Sequence, residues 1–220
     1  MEKGIEVFLE SIKEKLLYMS SLASKAVQNS VKGLLENDEK ISNSVIEDDK
    51  YINNLEVEID SLGLEFLARY QPEASDLRFV IAVLRMNTDI ERIGDYAVNI
   101  SKAALYLIDK PFNATLIDIP YLAEICSKMF EDSMNSLITK DVALAKSVLV
   151  RDEKVDNICD QIFREMLTYM MENPKLISRG IQLILISRHL ERVADHSTNI
   201  AESAIFALEG KIAKHHFEEI

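Results

Sequence analysis

Apolar positions recur along this chain at steps of three and four residues, and the long periodic stretches are interrupted around Pro72, Pro111, Pro120 and Pro174. Proline lacks an amide donor and clashes with the preceding turn, so it marks where helices stop. The periodicity predicts helices over 4–36, 39–70, 75–109, 116–139, 141–172 and 175–211, with Asp38 and Asp141 near the N-caps of the second and fifth. No strand is required, and the expected class is all-α.

The chain also repeats itself. DKYINNL at 49–55 matches DEKVDNI at 152–158, an offset of 103, and DIERIGDYAVNI at 89–100 matches HLERVADHSTNI at 189–200, an offset of 100. Pro72 and Pro174 are 102 apart, so the drift needs only small changes of loop length. Two tandem three-helix bundles follow, with a boundary in the twice-prolined segment 107–120 and expected domains of 1–112 and 113–220.

Composition narrows the functional classes. Hydrophobic residues make up 48% of the 220, enough for a real core, and 37 acids against 25 bases give a net charge of −12. Such a surface repels phosphate backbones and anionic headgroups, which argues against nucleic acid as a partner. The opening MEKGIEVFLE lacks the basic-then-apolar order of a signal peptide, and no apolar run spans a bilayer, so a cytoplasmic protein without membrane insertion is expected. Cys126 and Cys159 form no Cys-x-x-Cys pair and read as reduced, packed thiols.

Candidate chemistry lies in a repeated oxygen ladder. Glu91, Asp95 and Asn99 stand at i, i+4 and i+8, and Glu191, Asp195 and Asn199 reproduce them. At 100° per residue the ladder falls opposite the apolar seam of Ile90, Ile93, Ala97 and Ile100. The second and fifth helices add Asp49 with Asn53, and Asp152 with Asp156 and Asp160, at positions that read as well away from their apolar faces. Two readings stand side by side: solvated outer faces, or paired grooves in which clustered carboxylates are neutralised by a multivalent cation. Oxygen ligands suit Mg, Ca, Mn or ferric iron, and carboxylates also take zinc. The outward angle, and the lack of a Glu-x-x-His pair beside these ladders, argue against a ferritin-like di-iron enzyme.

DLRFVIAVLRMNTDIERIGDYAVNI at 76–100 and LILISRHLERVADHSTNIAE at 183–202 resemble the two signature regions of the PhoU family, and the likeness extends through PEASDLR at 72–78 and YMMENP at 169–174. The resemblance implies a cytoplasmic, usually dimeric, regulator of phosphate uptake that restrains a phosphate ABC transporter through its ATPase subunit and quiets a phosphate-sensing histidine kinase. It also implies iron or zinc clusters on Asp49, Glu91 and Asp95 in the first half, and on Asp152, Asp156, Glu191 and Asp195 in the second. Asn53 departs from the pattern, standing where the second half has Asp156, so the first site is expected to be the weaker.

Other residues carry less. His189 and His196 have Asp89 and Tyr96 as counterparts, so a duplicated site would not use them. Arg92 and Arg192 follow the ladder glutamates and read as local salt-bridge partners, and Arg78 and Arg85 as surface arginines. No nucleophile with an adjacent base and no glycine-rich phosphate loop is present, so an adaptor is expected rather than an enzyme. The rival readings are an accessory protein of a different phosphate transporter and a carboxylate-bridged metal enzyme.

Overall fold

The computed structural model describes residues 2–108 and 118–211; the expected domain boundary at 113 lies outside them. The helices are α1 (Glu2–Glu36), α2 (Glu39–Tyr70), α3 (Ala74–Ile108), α4 (Asp118–Thr139), α5 (Val142–Val150), α6 (Asp152–Glu172) and α7 (Ile177–Glu209), with a 3₁₀ turn at Pro174–Leu176 before α7. The described residues contain no strand.

Local chemistry sets the helix ends. Asp38 caps α2 by accepting from the Lys40 and Ile41 amides at 2.8 and 3.1 Å, and Asp141 caps α5 by accepting from Leu144 N at 3.0 Å. Asn37, Gln71, Lys140 and Gly210 follow α1, α2, α4 and α7 in the left-handed region, which turns the chain out of each helix.

The fifth expected helix is not continuous. It breaks at Arg151, whose guanidinium donates back to Ser147 O of α5 at 3.1 Å and across to Asp132 of α4 at 2.8 Å. Asp132 is 8% exposed and is held from a second side by Lys128 at 3.1 Å, so the pair anchors the break in the body of the bundle. The break leaves Asp152 as the first residue of α6.

Helices α1, α2 and α3 pack mutually, as do α4, α5 with α6, and α7. The two bundles meet through α3 against α7, the most extensive contact in the molecule, and through α1 against α4. Ile90, Ile93, Ala97 and Ile100 of α3 and Leu190, Val193 and Ile200 of α7 are fully buried, and one continuous apolar core runs through both halves. Cys126 and Cys159 are buried in it as free thiols. No described helix is long and apolar enough to cross a membrane.

Replacing the α2 cap, Asp38→Ala, leaves two amides without their acceptor and is expected to lower the unfolding free energy by about 1 kcal/mol. Urea unfolding measures it, and an unchanged midpoint would show the cap to be idle.

Candidate functional site

The seam of α3 and α7 positions the ladders. With Ile90 and Ile93 turned inward, Glu91 and Asp95 stand off the seam beside α2, keeping 19% and 39% side-chain exposure. Glu191 and Asp195 occupy the same places beside α6 at 22% and 38%, so the duplication extends to the solvent environment of the acids.

Asp49 and Asp152 sit deeper than their sequence pattern indicates. Each stands three residues ahead of a buried core position, Ile52 or Val155, and three residues fall about 60° short of a full turn, which puts the acid at the edge of the apolar face. Oδ1 of each is sealed from solvent with no hydrogen-bond partner. The sealed oxygens lie at equivalent points of the repeat.

The two grooves then diverge. In the first, the Asn53 amide donates to Asp49 Oδ2 at 2.9 Å, and Arg92 reaches Glu91 at 3.5 Å and Asp95 at 3.1 Å. Burial raises the Asp49 carboxyl, with the Asp95 charge adding to it against the Asn53 hydrogen bond, and burial followed by the Asp95 charge raises Glu91. A Cβ on Gly94 would come within 3.3 Å of Asp49 Oδ1, whereas the second half carries the buried Ala194 at that position.

In the second groove Asp156 replaces the amide. Burial, then the charges of Asp156, Asp195 and Glu191, push Asp152 up to about 6. Burial and the Glu191 and Asp195 charges raise the exposed Asp156, and burial raises Asp195 despite Arg192 at 3.2 Å. Arg188 holds Glu191 at 2.6 Å and Asp160 at 3.7 Å. Burial first, and neighbouring carboxylates after it, raise all three, as expected of like charges short of neutralisation.

These acids form an oxygen donor set suited to a hard cation. In the arrangement seen, no three His, Cys, Asp or Glu side chains among the described residues converge to hold a metal ion. Arg92, Arg188 and Arg192 instead draw carboxylates along the groove walls, so metal capture would require the exposed arginine arms to let go. Asn99 is half-buried on α3, and Asn199 is engaged elsewhere, donating to Asp89 Oδ1 at 3.1 Å.

Asp89 belongs to a cluster that sequence reasoning passed over. His196 Nδ1 lies 2.7 Å from Asp89 Oδ1, and Tyr96 stands between His189 and His196 with ring centroids 5.8 and 5.6 Å away. Burial pushes His189 below its ordinary value, which favours a neutral stacked ring. Asp89 with His196 and Tyr96 with His189 are symmetry-related pairs where α3 crosses α7. The signal was present as a mismatch, because positions that face one another across a pseudo-two-fold must be complementary rather than identical.

The fold and its paired acidic grooves define an all-α protein of two tandem three-helix bundles. The PhoU domain model matches residues 16–104 and 119–204, one match per bundle, and the chain belongs to the PhoU family. It is 38% identical over 212 residues to the phosphate-specific transport system accessory protein PhoU homolog of Aquifex aeolicus, covering 96% of both chains. It is 36% identical to the corresponding homolog of Pseudomonas aeruginosa, covering 94% of this chain and 86% of that one. The crystal structure of PhoU from Pseudomonas aeruginosa superposes with a TM-score of 0.91 at 35% identity, covering 94% of this chain and 99% of that one. The phosphate transport system regulatory protein PhoU from Streptococcus pneumoniae gives 0.87 at 26% identity, covering 94% and 98%.

The raised Asp152 carboxyl yields a signed pH dependence. Folded protein keeps a proton that the unfolded chain, titrating near 3.8, has released, so this contribution to stability is fully present below about pH 4 and lost as pH rises through about 6. Metal-free Asp152→Asn is expected to melt higher than the parent at neutral pH and to match it more closely at pH 4. A melting difference independent of pH would contradict the assignment.

Proposed function

We propose that this protein is an accessory regulator of phosphate-specific transport, an adaptor rather than an enzyme. It restrains a phosphate ABC transporter through the ATPase subunit and keeps a phosphate-sensing histidine kinase quiet when phosphate is plentiful. The observation that carries this reading is the near end-to-end match to relatives named as phosphate-specific transport system accessory proteins. The adaptor reading is supported by the two thiols, which burial pushes up, Cys159 to about 12, where they are poor nucleophiles. Its place of action is the cytoplasm, at the inner face of the membrane through its partners, and it works as a homodimer.

Multivalent metal on the two grooves is part of the proposal, with iron or zinc the leading candidates. The sealed oxygens of Asp49 and Asp152 support it, since a buried carboxylate oxygen without a donor is costly and a cation removes the cost. Asp49, Glu91 and Asp95 would hold metal in the first groove, and Asp152, Asp156, Glu191 and Asp195 in the second. Bound cations would offset part of the −12 charge and tie α2 to α3 and α6 to α7. Asn53 supports unequal sites, because it is a neutral ligand and its amide already occupies one oxygen of Asp49.

Deleting the gene should derepress phosphate-starvation genes in phosphate-rich medium, measured by transcript levels, and normal repression would refute the regulatory role. Zinc titration should show Asp156→Asn losing the tighter site and Asp95→Asn only the weaker one. Equal losses in the two variants would sink the ranking.

A further inference from the structure

Because the chain is duplicated, each bundle displays what fits in the other. An offset of 103 runs without a gap from Tyr18–Ile52 to Tyr121–Val155. It pairs the capping aspartates Asp38 and Asp141, and the left-handed residues before them, Asn37 and Lys140. It also pairs Ser30 with Ser133, both buried and both donating to the carbonyl three residues back, at 2.7 and 2.8 Å. Paired positions therefore occupy equivalent places, between α1 and α2 in one half and between α4 and the α5–α6 break in the other.

In the second bundle two cations fill this place from within. The Arg151 guanidinium is held by Asp132 at 2.8 Å and by the Ser147 carbonyl and hydroxyl at 3.1 and 3.2 Å, and Lys128 shares Asp132 at 3.1 Å. Beside them Lys154 Nζ lies over the Tyr121 ring, 5.0 Å from its centroid. The first bundle keeps receiving groups and lacks both cations. Tyr18 stands for Tyr121, Lys25 for Lys128 and Ser44 for Ser147, whereas Asp48 replaces Arg151, Tyr51 replaces Lys154 and Asn29 replaces Asp132. The Ser44 hydroxyl even keeps the orientation of Ser147, each donating at 2.8 Å to the carbonyl three residues back.

A cavity of about 230 Å³ between α1 and α2 remains, lined by Tyr18, Lys25, Asn29, Ser44, Asp48 and Tyr51. Asp48 has no ion pair among the described residues. Asp49 also reaches the wall, but its sealed oxygen faces Gly94 of α3 and belongs to the acidic groove.

We propose that this cavity receives the side chain of an arginine presented by a partner protein, in the place that Arg151 and Lys154 fill for the second bundle. Asp48 takes the guanidinium as Asp132 does in the other half, with the Ser44 hydroxyl beside it and the tyrosine rings as flat faces for a planar cation. Lys25 is no obstacle, since Lys128 and Arg151 share one carboxylate in the second bundle. The volume lies below the ~300 Å³ at which sites for whole small molecules begin, and it suits one long side chain. A net charge of −12 draws a basic segment toward the chain. Tyr18 and Tyr51, 58% and 51% exposed, offer apolar area to the residues flanking the arginine.

None of these six residues is a proposed metal ligand, so arginine binding and metal binding are separate readouts. The test is an NMR titration of the isotope-labelled full chain with acetyl-Gly-Leu-Arg-Leu-Gly-amide at physiological ionic strength. Saturable shifts should centre on the amides around Tyr18 and Asp48. The citrulline version of the peptide, neutral and of the same shape, should bind at least about 10-fold more weakly. Tyr18→Ala should weaken the arginine peptide roughly fivefold. Asn29→Asp/Asp48→Arg, which installs the second bundle's own pair, should abolish binding without lowering the melting temperature. Equal binding of the two peptides, or binding unchanged in Asn29→Asp/Asp48→Arg, would reduce the effect to attraction by an acidic surface and overturn the proposal. Agmatine, a guanidinium without flanking chain, should bind at least about 10-fold more weakly than the arginine peptide. Equal affinity would assign the cavity to a free small cation and likewise overturn it.

Discussion

The molecule depends on the packing of α3 against α7. Each helix gives one side to this contact and to the remaining helices of its bundle, and Ile90, Ile93, Leu190 and Val193 are buried in doing so. Helical periodicity then dictates where the acids go. Glu91 and Asp95 follow seam residues by one and two positions, so burying the seam turns them outward beside α2, and Glu191 and Asp195 do the same beside α6. The acidic surface is therefore the reverse side of the core. A change that rotated α3 about its axis would expose apolar surface and misalign the carboxylates together.

Much of this was legible in the sequence. The periodic stretches give the helices, Asp38 and Asp141 cap where expected, and the repeat identifies the paired ladders. The break at Arg151 was not legible, because VLVRDEK contains neither proline nor glycine. The break coincides with a contact that local sequence does not reveal, the ion pair of Arg151 with Asp132, nineteen residues upstream on another helix. The depth of Asp49 and Asp152 was missed for a related reason: position on a helical wheel gives an angle, whereas burial depends on how closely the neighbouring helix comes. In the first bundle that approach is set by Gly94, which leaves space against Asp49 that a larger residue would fill.

The halves share a fold and differ in electrostatics. In the first groove Asn53 supplies a proton donor to Asp49, and in the second Asp156 supplies another charge to Asp152. A single amide-for-carboxylate difference thus separates a groove that satisfies part of its own need from one that remains short of positive charge.

The crossing of α3 and α7 carries a consequence for the history of the duplication. Asp89 faces His196 while Tyr96 faces His189, so each half supplies what the other lacks. A chain assembled from two first halves would set Asp89 against Tyr96 on both sides of the axis, and one assembled from two second halves would bring His189 and His196 together twice. Neither reproduces the present contact. What began as two copies of one unit has become a lock and its key, and the halves can no longer be exchanged.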